Sequence, residues 1–148
     1  MTPAAPGRSR RLSARLGRMR SLRYSVLPGS WAAVRVPPDA AVPPSLLAPP
    51  FHSVTRTAAE LSVVCSEERV PEGARAERGW AVLALEGPFP FDLVGVLAAL
   101  LVPLAEAGVG VFALSTFDTD YVLVKRERLE EALAALSAAG HVRTGPEA

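Results

Sequence analysis

The residues best suited to chemistry lie in one short polar segment between two apolar stretches. Within six positions this segment supplies three hydroxyl groups and two carboxylates, from Ser115, Thr116, Asp118, Thr119 and Asp120. Such side chains fix a turn by bonding to nearby backbone groups, and a set of this size leaves acceptors unused. Because ionised acceptors form strong hydrogen bonds with ammonium groups, the segment is a candidate amine-binding site.

The two aspartates permit several interpretations, and the sequence leaves them open. Asp118 and Asp120 could recognise an ammonium group, hold a metal, form a catalytic pair or serve only to build the turn. In a strand, their i, i+2 spacing would place both carboxylates on one face. Hard cations need more oxygen ligands than this segment supplies alone. Ligand contact and turn structure are therefore the favoured interpretations, and no metal site is expected.

Strand patterns on both sides of this segment predict a hairpin with the polar residues at its tip. Apolar residues alternate with others over residues 109–114, and residues 121–124 are apolar and rich in β-branched side chains. Upstream, the continuous apolar run at residues 80–85 predicts a central strand of the same sheet. The polar segment is therefore expected at one end of a sheet.

A helix is predicted between these strands. Asp92 is placed to act as the N-cap of a helix over residues 93–107, and Gly108 would end it as the C′ residue. Pro103 cannot donate a hydrogen bond to Ala99, which predicts a bend or a loosened turn. The expected buried face has leucines at helical spacing, namely Leu93, Leu97, Leu100, Leu101 and Leu104.

The start of this helix adds a second part to the candidate site. A helix N-terminus presents unpaired N–H groups and a partial positive charge, which suit a carboxylate. Leu93, Val94 and Gly95 could present those groups, and Gly95 would allow a ligand to approach closely. An amino-acid zwitterion would then fit between the helix start and the polar segment.

The chain ends in a second helix and a strand, whereas its first half shows strands but barely any helix. The second helix is predicted over residues 126–139, with Leu129, Leu133 and Leu136 on its buried face, and the closing strand over residues 141–143. In the first half, strands are predicted at residues 24–27, 31–36, 51–56 and 61–66.

The connections of the first half are read from its prolines and glycines. The Pro28-Gly29 turn is expected to join the first two strands as an antiparallel pair. Residues 37–50 hold six of the fourteen prolines and predict a rigid connector with at most a short helical turn at residues 45–48. Residues 70–79 are polar and predict a boundary between the two halves.

Three other residues have side chains that could take part in binding or catalysis, but they are expected to have structural roles. Arg56 and Glu60 could pair with each other, border a ligand pocket or cap a turn. Cys65 ends an apolar strand, where a buried and inert thiol is expected. A nucleophilic cysteine would need a base, and His52 and His141 are the only histidines.

The second half reads β-α-β-β-α-β, a ferredoxin-like arrangement with two helices on one face of an antiparallel sheet. Its motifs resemble the ACT domain, a regulatory amino-acid-binding module: DLVGVL at 92–97, LAEAGVGVFALST at 104–116 and DTDYVLV at 118–124. With SVTRTAAELSVVC at 53–65, they resemble the bacterial tandem-ACT proteins related to the CASTOR arginine sensors. The resemblance covers residues 24–143.

The resemblance implies an α+β fold of tandem, interlocked ACT-like units with antiparallel sheets and helices on one face. It places a degenerate N-terminal unit at residues 24–70 and a C-terminal ACT domain at residues 77–144. It also implies a homodimer through continued sheets, with a small ligand held between units. The expected ligand-binding residues are Asp92, Leu93, Val94, Gly95, Ser115, Thr116, Phe117, Asp118 and Asp120.

The predicted function is a non-catalytic regulatory or sensor protein that binds an amino acid. The alternative is a ligand-free structural or protein-interaction module built from degenerate ACT units. The sequence lacks a Gly-rich phosphate loop, zinc-ligand spacing and a nucleophile elbow. Neither an enzyme activity nor a catalytic residue, metal or cofactor is therefore expected.

Composition bounds the remaining function classes. The chain has 148 residues and a net charge of +1, but residues 1–23 contain seven arginines and no acid, which leaves the remainder at about −6. A nucleic-acid-binding fold would show a basic face, so this arginine-rich tail, expected to be disordered, is the only candidate for such binding. The single cysteine fits a reducing cytoplasm, and the longest apolar run, of thirteen residues, is too short for a membrane span.

Overall fold

The apolar stretches form one eight-stranded sheet in the computed structural model, which describes residues 21–145. The strands are β1 (Arg23–Val26), β2 (Trp31–Val36), β3 (Ser53–Arg56), β4 (Leu61–Ser66), β5 (Arg75–Leu85), β6 (Val111–Ser115), β7 (Asp120–Lys125) and β8 (Val142–Thr144). The helices are α1 (Val96–Glu106) and α2 (Leu129–Ala138), with 3-10 helices at Pro44–Leu46, Glu67–Arg69 and Arg126–Arg128. The predicted α+β class is confirmed. In this part of the chain, neither α-helix has the length and apolar character to cross a membrane.

The long strand β5 is the axis of the sheet. One of its edges pairs first with β2 and then with β1, while its other edge pairs with β7. The strand order is therefore β3-β4-β2-β5 in the first half and β6-β7-β5-β1-β8 in the second. The predicted boundary at residues 70–79 overlaps the beginning of β5, which residues 75–79 form. They are mostly exposed and charged, so they lack the apolar pattern of a buried strand.

Strand β1 occupies an unexpected position. It does not pair with β2; the turn at Pro28 and Gly29 instead places β1 and β2 end to end along β5. β1 lies between β5 and β8 and runs parallel to β8, so the sheet is not antiparallel throughout. Leu22 is buried and Arg23 begins β1, so the fold starts before residue 24. The rest of the predicted tail, residues 1–20, lies outside the described residues.

Both α-helices cover one face of the second half, as predicted. Leu100 and Leu104 of α1 and Leu136 of α2 are fully buried against the apolar side chains of β5 and β7. Gly108 follows α1 as the predicted C′ residue, with a φ angle of 72°. The Val109 N–H bonds to the Leu104 carbonyl at 2.9 Å, which satisfies one of the last helical acceptors.

A buried histidine compensates for Pro103 inside α1. Because proline has no N–H, the Ala99 carbonyl lacks its helical donor. His141 Nε2 lies 2.8 Å from that oxygen, and His141 Nδ1 accepts a hydrogen bond from the Leu22 N–H at 3.1 Å. A ring nitrogen that accepts carries no proton, so the imidazole is neutral with its proton on Nε2. His141 therefore ties α1 to β1 and β8.

The first half covers its sheet with shorter elements. Leu46 in the 3-10 helix Pro44–Leu46 is 1% exposed and packs with Val34, Leu61 and Val63. This element matches the predicted helical turn in the proline-rich connector. Between residues 21 and 74 the structure contains no α-helix. A separate cluster of apolar side chains joins the two halves around Phe51. The Phe51 ring stacks on Tyr121 with 4.5 Å between centroids.

Candidate functional site

The loop after β5 packs tightly against the turn between β6 and β7. The Phe89 N–H donates a hydrogen bond to the Asp118 carbonyl at 2.8 Å. A Cβ atom on Gly87 would lie 2.7 Å from that carbonyl oxygen and 3.0 Å from Thr119 Cβ, both too close. The contact therefore requires glycine at position 87, and it fixes the distance between the two stretches that the sequence selected.

Threonine side chains build the turn itself. The Thr116 N–H donates to the Thr119 carbonyl at 2.8 Å, and the Thr119 N–H donates to Thr116 Oγ1 at 3.3 Å. Thr119 Oγ1 also donates to the Leu85 carbonyl at 2.8 Å, which anchors the turn to the end of β5. The Thr116 hydroxyl is therefore hydrogen-bonded within the turn, in agreement with the interpretation that these polar residues build the turn.

A cavity of about 370 Å³ lies between this turn and the start of α1. Seven of the nine predicted ligand-binding residues line it, whereas Asp92 and Val94 do not. Seven lining residues were missed by sequence reasoning. The full lining is Phe89, Pro90, Phe91, Leu93, Gly95, Val96, Leu97, Ala98, Ser115, Thr116, Phe117, Asp118, Thr119 and Asp120.

The start of α1 differs from the prediction. Its N-cap is Gly95 rather than Asp92, because the chain makes a turn closed by the Leu93 N–H and the Pro90 carbonyl at 3.0 Å. Gly95 has a φ angle of 88°, which side chains other than glycine rarely adopt. The Leu93 N–H is therefore already paired, and the first helical turn, whose N–H groups lack helical acceptors, consists of residues 96–98.

The two aspartates do not share a strand face. Asp118 is an exposed residue of the turn, whereas Asp120 is the first residue of β7 and accepts a hydrogen bond from the Ser115 hydroxyl at 2.5 Å. Both residues line the cavity, so an ammonium group there would lie near negative charge. In the described part of the chain, no group of three or more His, Cys, Asp or Glu residues is arranged to hold a metal ion.

Aromatic rings line the cavity, and of the three phenylalanines sequence reasoning selected Phe117 but missed Phe89 and Phe91. The Phe91 and Phe117 rings meet edge to face with 5.0 Å between centroids, although the two residues are 77% and 80% exposed. Phe89 lies deeper and packs against the core of the second half. The signal was present in the sequence as GPFPF at residues 87–91, but these residues resembled an ordinary turn.

Residues singled out in the first half have structural roles. Arg56 does not pair with Glu60: its guanidinium donates to the carbonyls of Pro38 and Ala40, the latter at 2.9 Å. Glu60 instead faces Arg35, with 3.6 Å between charged atoms. Cys65 is completely buried, and this burial raises the pKa of its thiol. A thiol held in its neutral form is a poor nucleophile.

The sequence matches two family models. Residues 75–138 match the ACT domain, and residues 29–73 match a model described as an N-terminal domain. The two matches meet where β5 begins. No curated protein sequence matches the chain.

Comparison with solved structures identifies one relative and two more distant proteins that share the fold. Protein Atu0741 from Agobacterium tumefaciens is 35% identical, with a TM-score of 0.82 over 87% of this chain and 96% of its own. VC0802 from Vibrio cholerae, a protein of unknown function described as a possible transport protein, is 22% identical, with a TM-score of 0.66 over 87% of this chain and 95% of its own. The regulatory subunit of aspartate kinase from Thermus thermophilus is 16% identical, with a TM-score of 0.54 over 77% of this chain and 96% of its own. The last two similarities concern the fold.

Proposed function

Because this chain belongs to one family with the Agobacterium protein Atu0741 and carries an ACT domain, we propose that it is a non-catalytic regulatory protein that binds an amino acid. The observation that carries the proposal is the cavity between the first turn of α1 and the hairpin turn. The cavity joins unpaired N–H groups on one side to carboxylates on the other. These are the two recognition elements that a zwitterion needs.

The proposed ligand position follows from charge. The α-carboxylate lies at the first turn of α1, where the N–H groups of Val96, Leu97 and Ala98 have no helical acceptor. The α-ammonium lies at Asp118 and Asp120. This direction agrees with the helix dipole, whose positive end attracts the carboxylate.

The tandem arrangement is part of the same proposal. The first half has four strands in the ferredoxin-like order β3-β4-β2-β5. The second half has the corresponding order β6-β7-β5-β8 with β1 inserted between β5 and β8. β5 serves both halves, as the last strand of the first unit and the first strand of the second. In the first unit, 3-10 helices stand where the second has α1 and α2. These features support a degenerate ACT-like unit followed by a complete one. The relation to the CASTOR arginine sensors stays a prediction from sequence.

A thermal-shift series over the amino acids tests the proposal. At 100 times its dissociation constant, a ligand adds about 2.7 kcal/mol to the free energy of unfolding. The same series on Asp118→Asn should lose most of the shift, because the ammonium loses a charged partner. Asp92→Asn is the matched control, since Asp92 is a nearby acid outside the cavity lining, and it should keep the shift. The absence of a shift with every amino acid at millimolar concentration would refute the proposal.

The second candidate function is a structural or protein-interaction module without ligand. The exposed side chains of Phe91, Val94 and Phe117 favour it, because apolar patches of this kind mark contact surfaces. The homodimer expected from sequence would use such a surface or the open sheet edges. Light scattering distinguishes a dimer from the 15.6 kDa monomer. A stable partner protein bound equally well with and without amino acids would favour the module over the sensor.

A further inference from the structure

The charged side chains that line the candidate cavity are all of one sign. Its only charged side chains are the carboxylates of Asp118 and Asp120. The α-ammonium of the proposed ligand uses both of them. Beyond these two groups and the hydroxyls that build the turn, the lining side chains are apolar and include three phenylalanines.

This lining discriminates among ligand side chains. A carboxylate on the ligand side chain would add a third negative charge near two aspartates and would be repelled. A cationic side chain would compete with the α-ammonium for the same carboxylates, and otherwise it would be desolvated against Phe89, Leu93 and Leu97 at a large cost. An apolar side chain avoids both penalties.

The exposed aromatic pair indicates where that side chain lies. Phe91 and Phe117 expose 77% and 80% of their surface, yet their rings already hold each other edge to face. Further aromatic or aliphatic surface placed on this pair would remove apolar area from water, which stabilises a complex by about 25 cal/mol per Å². Both phenylalanines line the cavity together with the two aspartates, and Phe117 precedes Asp118 in the turn.

We infer that the cavity selects hydrophobic α-amino acids, aromatic or branched aliphatic, over acidic and basic ones. The inference rests on the proposed amino-acid binding and adds the class of ligand. Phe117 is the specificity-determining residue, because it belongs to the same turn as Asp118, lines the cavity and is largely exposed. Val94 is 82% exposed on the neighbouring loop but does not line the cavity.

Calorimetric titration of the full chain with phenylalanine, leucine, glutamate and lysine tests the inference. Phenylalanine or leucine should bind at least about tenfold more tightly than glutamate or lysine. Phe117→Ser should weaken binding of the hydrophobic ligand about tenfold or more, while Val94→Ser, an equally exposed apolar residue outside the lining, should change it less than about twofold.

Four outcomes would overturn the inference. Tighter binding of glutamate or lysine would show that side-chain charge is recognised, while amino-acid binding itself would stand. If Phe117→Ser and Val94→Ser have equal effects on affinity, the aromatic pair does not contact ligand. If Phe117→Ser abolishes dimer formation in light scattering but leaves affinity intact, the pair is a protein interface. If none of the four ligands binds and the full amino-acid series is also silent, the proposed function fails with the inference.

Discussion

The two halves of the chain build the same turn and then use it differently. In the first half, the Thr57 N–H donates to the Glu60 carbonyl at 2.8 Å, and the Glu60 N–H donates to Thr57 Oγ1 at 3.1 Å. In the second half, Thr116 and Thr119 form the same two bonds at 2.8 and 3.3 Å. Both turns contain four residues between antiparallel strands, so the hairpins are equivalent.

The residue before each turn makes the difference. By strand register, Arg56 of β3 corresponds to Ser115 of β6, since each forms the last pair before its turn. Arg56 reaches across to the carbonyls of Pro38 and Ala40 in the loop after β2. Ser115 is short and bonds only to Asp120 across the strand pair. The second half therefore has an open cavity beside its turn, whereas in the first half the Arg56 side chain bridges the corresponding turn and loop.

Under the proposed tandem arrangement, this difference explains how the first unit keeps its fold without a ligand site. In the first half, a guanidinium joins the loop to the hairpin, and a 3-10 helix replaces α1 as the cover of the sheet. In the second half, the cavity separates the turn from α1, and we propose that a ligand joins them. Four substitutions and one titration test this contrast.

The largest expected effect comes from the cover of the first half. Leu46→Ala should lower the free energy of unfolding by about 2–5 kcal/mol, as for other fully buried leucines, because Leu46 is the buried residue of its 3-10 helix. Leu100→Ala in α1 is the matched substitution in the second half. Chemical denaturation should give similar losses. A loss below about 1 kcal/mol for Leu46→Ala alone would show that the 3-10 helix does not act as a cover.

The next effect concerns the contact that shapes the cavity. Gly87→Ala places a Cβ atom 2.7 Å from the Asp118 carbonyl oxygen, so the loop must move away from the turn. Overpacking of this kind costs about 1–3 kcal/mol. The affinity for the amino acid should also fall, and by more than the loss of folding stability accounts for. Gly110→Ala is the control, since a Cβ there meets no atom within 4 Å; equal effects of the two substitutions would contradict the argument.

A smaller effect is expected from the arginine of the first half. Arg56→Ala removes its hydrogen bonds to the proline-rich loop and should cost about 1 kcal/mol. Hydrogen exchange of residues 38–42 should accelerate, while ligand affinity in the second half stays unchanged. Arg56→Lys should recover little, because one ammonium cannot reproduce the guanidinium fork. A change in ligand affinity would show that the two halves are coupled.

The smallest effect is a pH dependence of folding stability that comes from Glu86, the first residue after β5. Hydrogen bonds from the Thr144 hydroxyl, at 2.6 Å, and from Arg23, at 3.0 Å, lower the pKa of Glu86. A lowered folded-state pKa adds stability above the unfolded pKa, about 4.3, and this stability disappears as pH falls through the folded value. Melting temperatures from pH 6 to pH 3 should therefore fall less steeply for Glu86→Gln than for the native chain. Parallel curves would contradict the assignment.

Much of the fold could be predicted because local patterns determined it. β2 and β4 match their predicted bounds, since β-branched and apolar residues fill them and polar turns end them. The hairpin turn and the glycine after α1 were equally clear. For the same reason the sequence located both stretches that border the cavity, although it could not measure the distance between them.

The rest depended on contacts between distant residues. The Pro28-Gly29 turn resembles a hairpin turn, but the pairing of β1 with β5 and β8 decides where that strand lies. Asp92 has the chemistry of an N-cap, yet the phenylalanines and prolines before it form a turn that delays α1 to Val96. Phe91 and Phe117 meet only after the loop and the hairpin have packed.

A titration followed by backbone amide NMR tests the central claim most directly. With the tightest-binding amino acid, shifts should concentrate at residues 86–98 and 115–120. The equivalent positions of the first half, residues 37–42 and 56–61, should not respond, because Arg56 holds that junction closed. Shifts in the first half alone, or equal shifts in both turns, would contradict the account that only the second half binds the ligand.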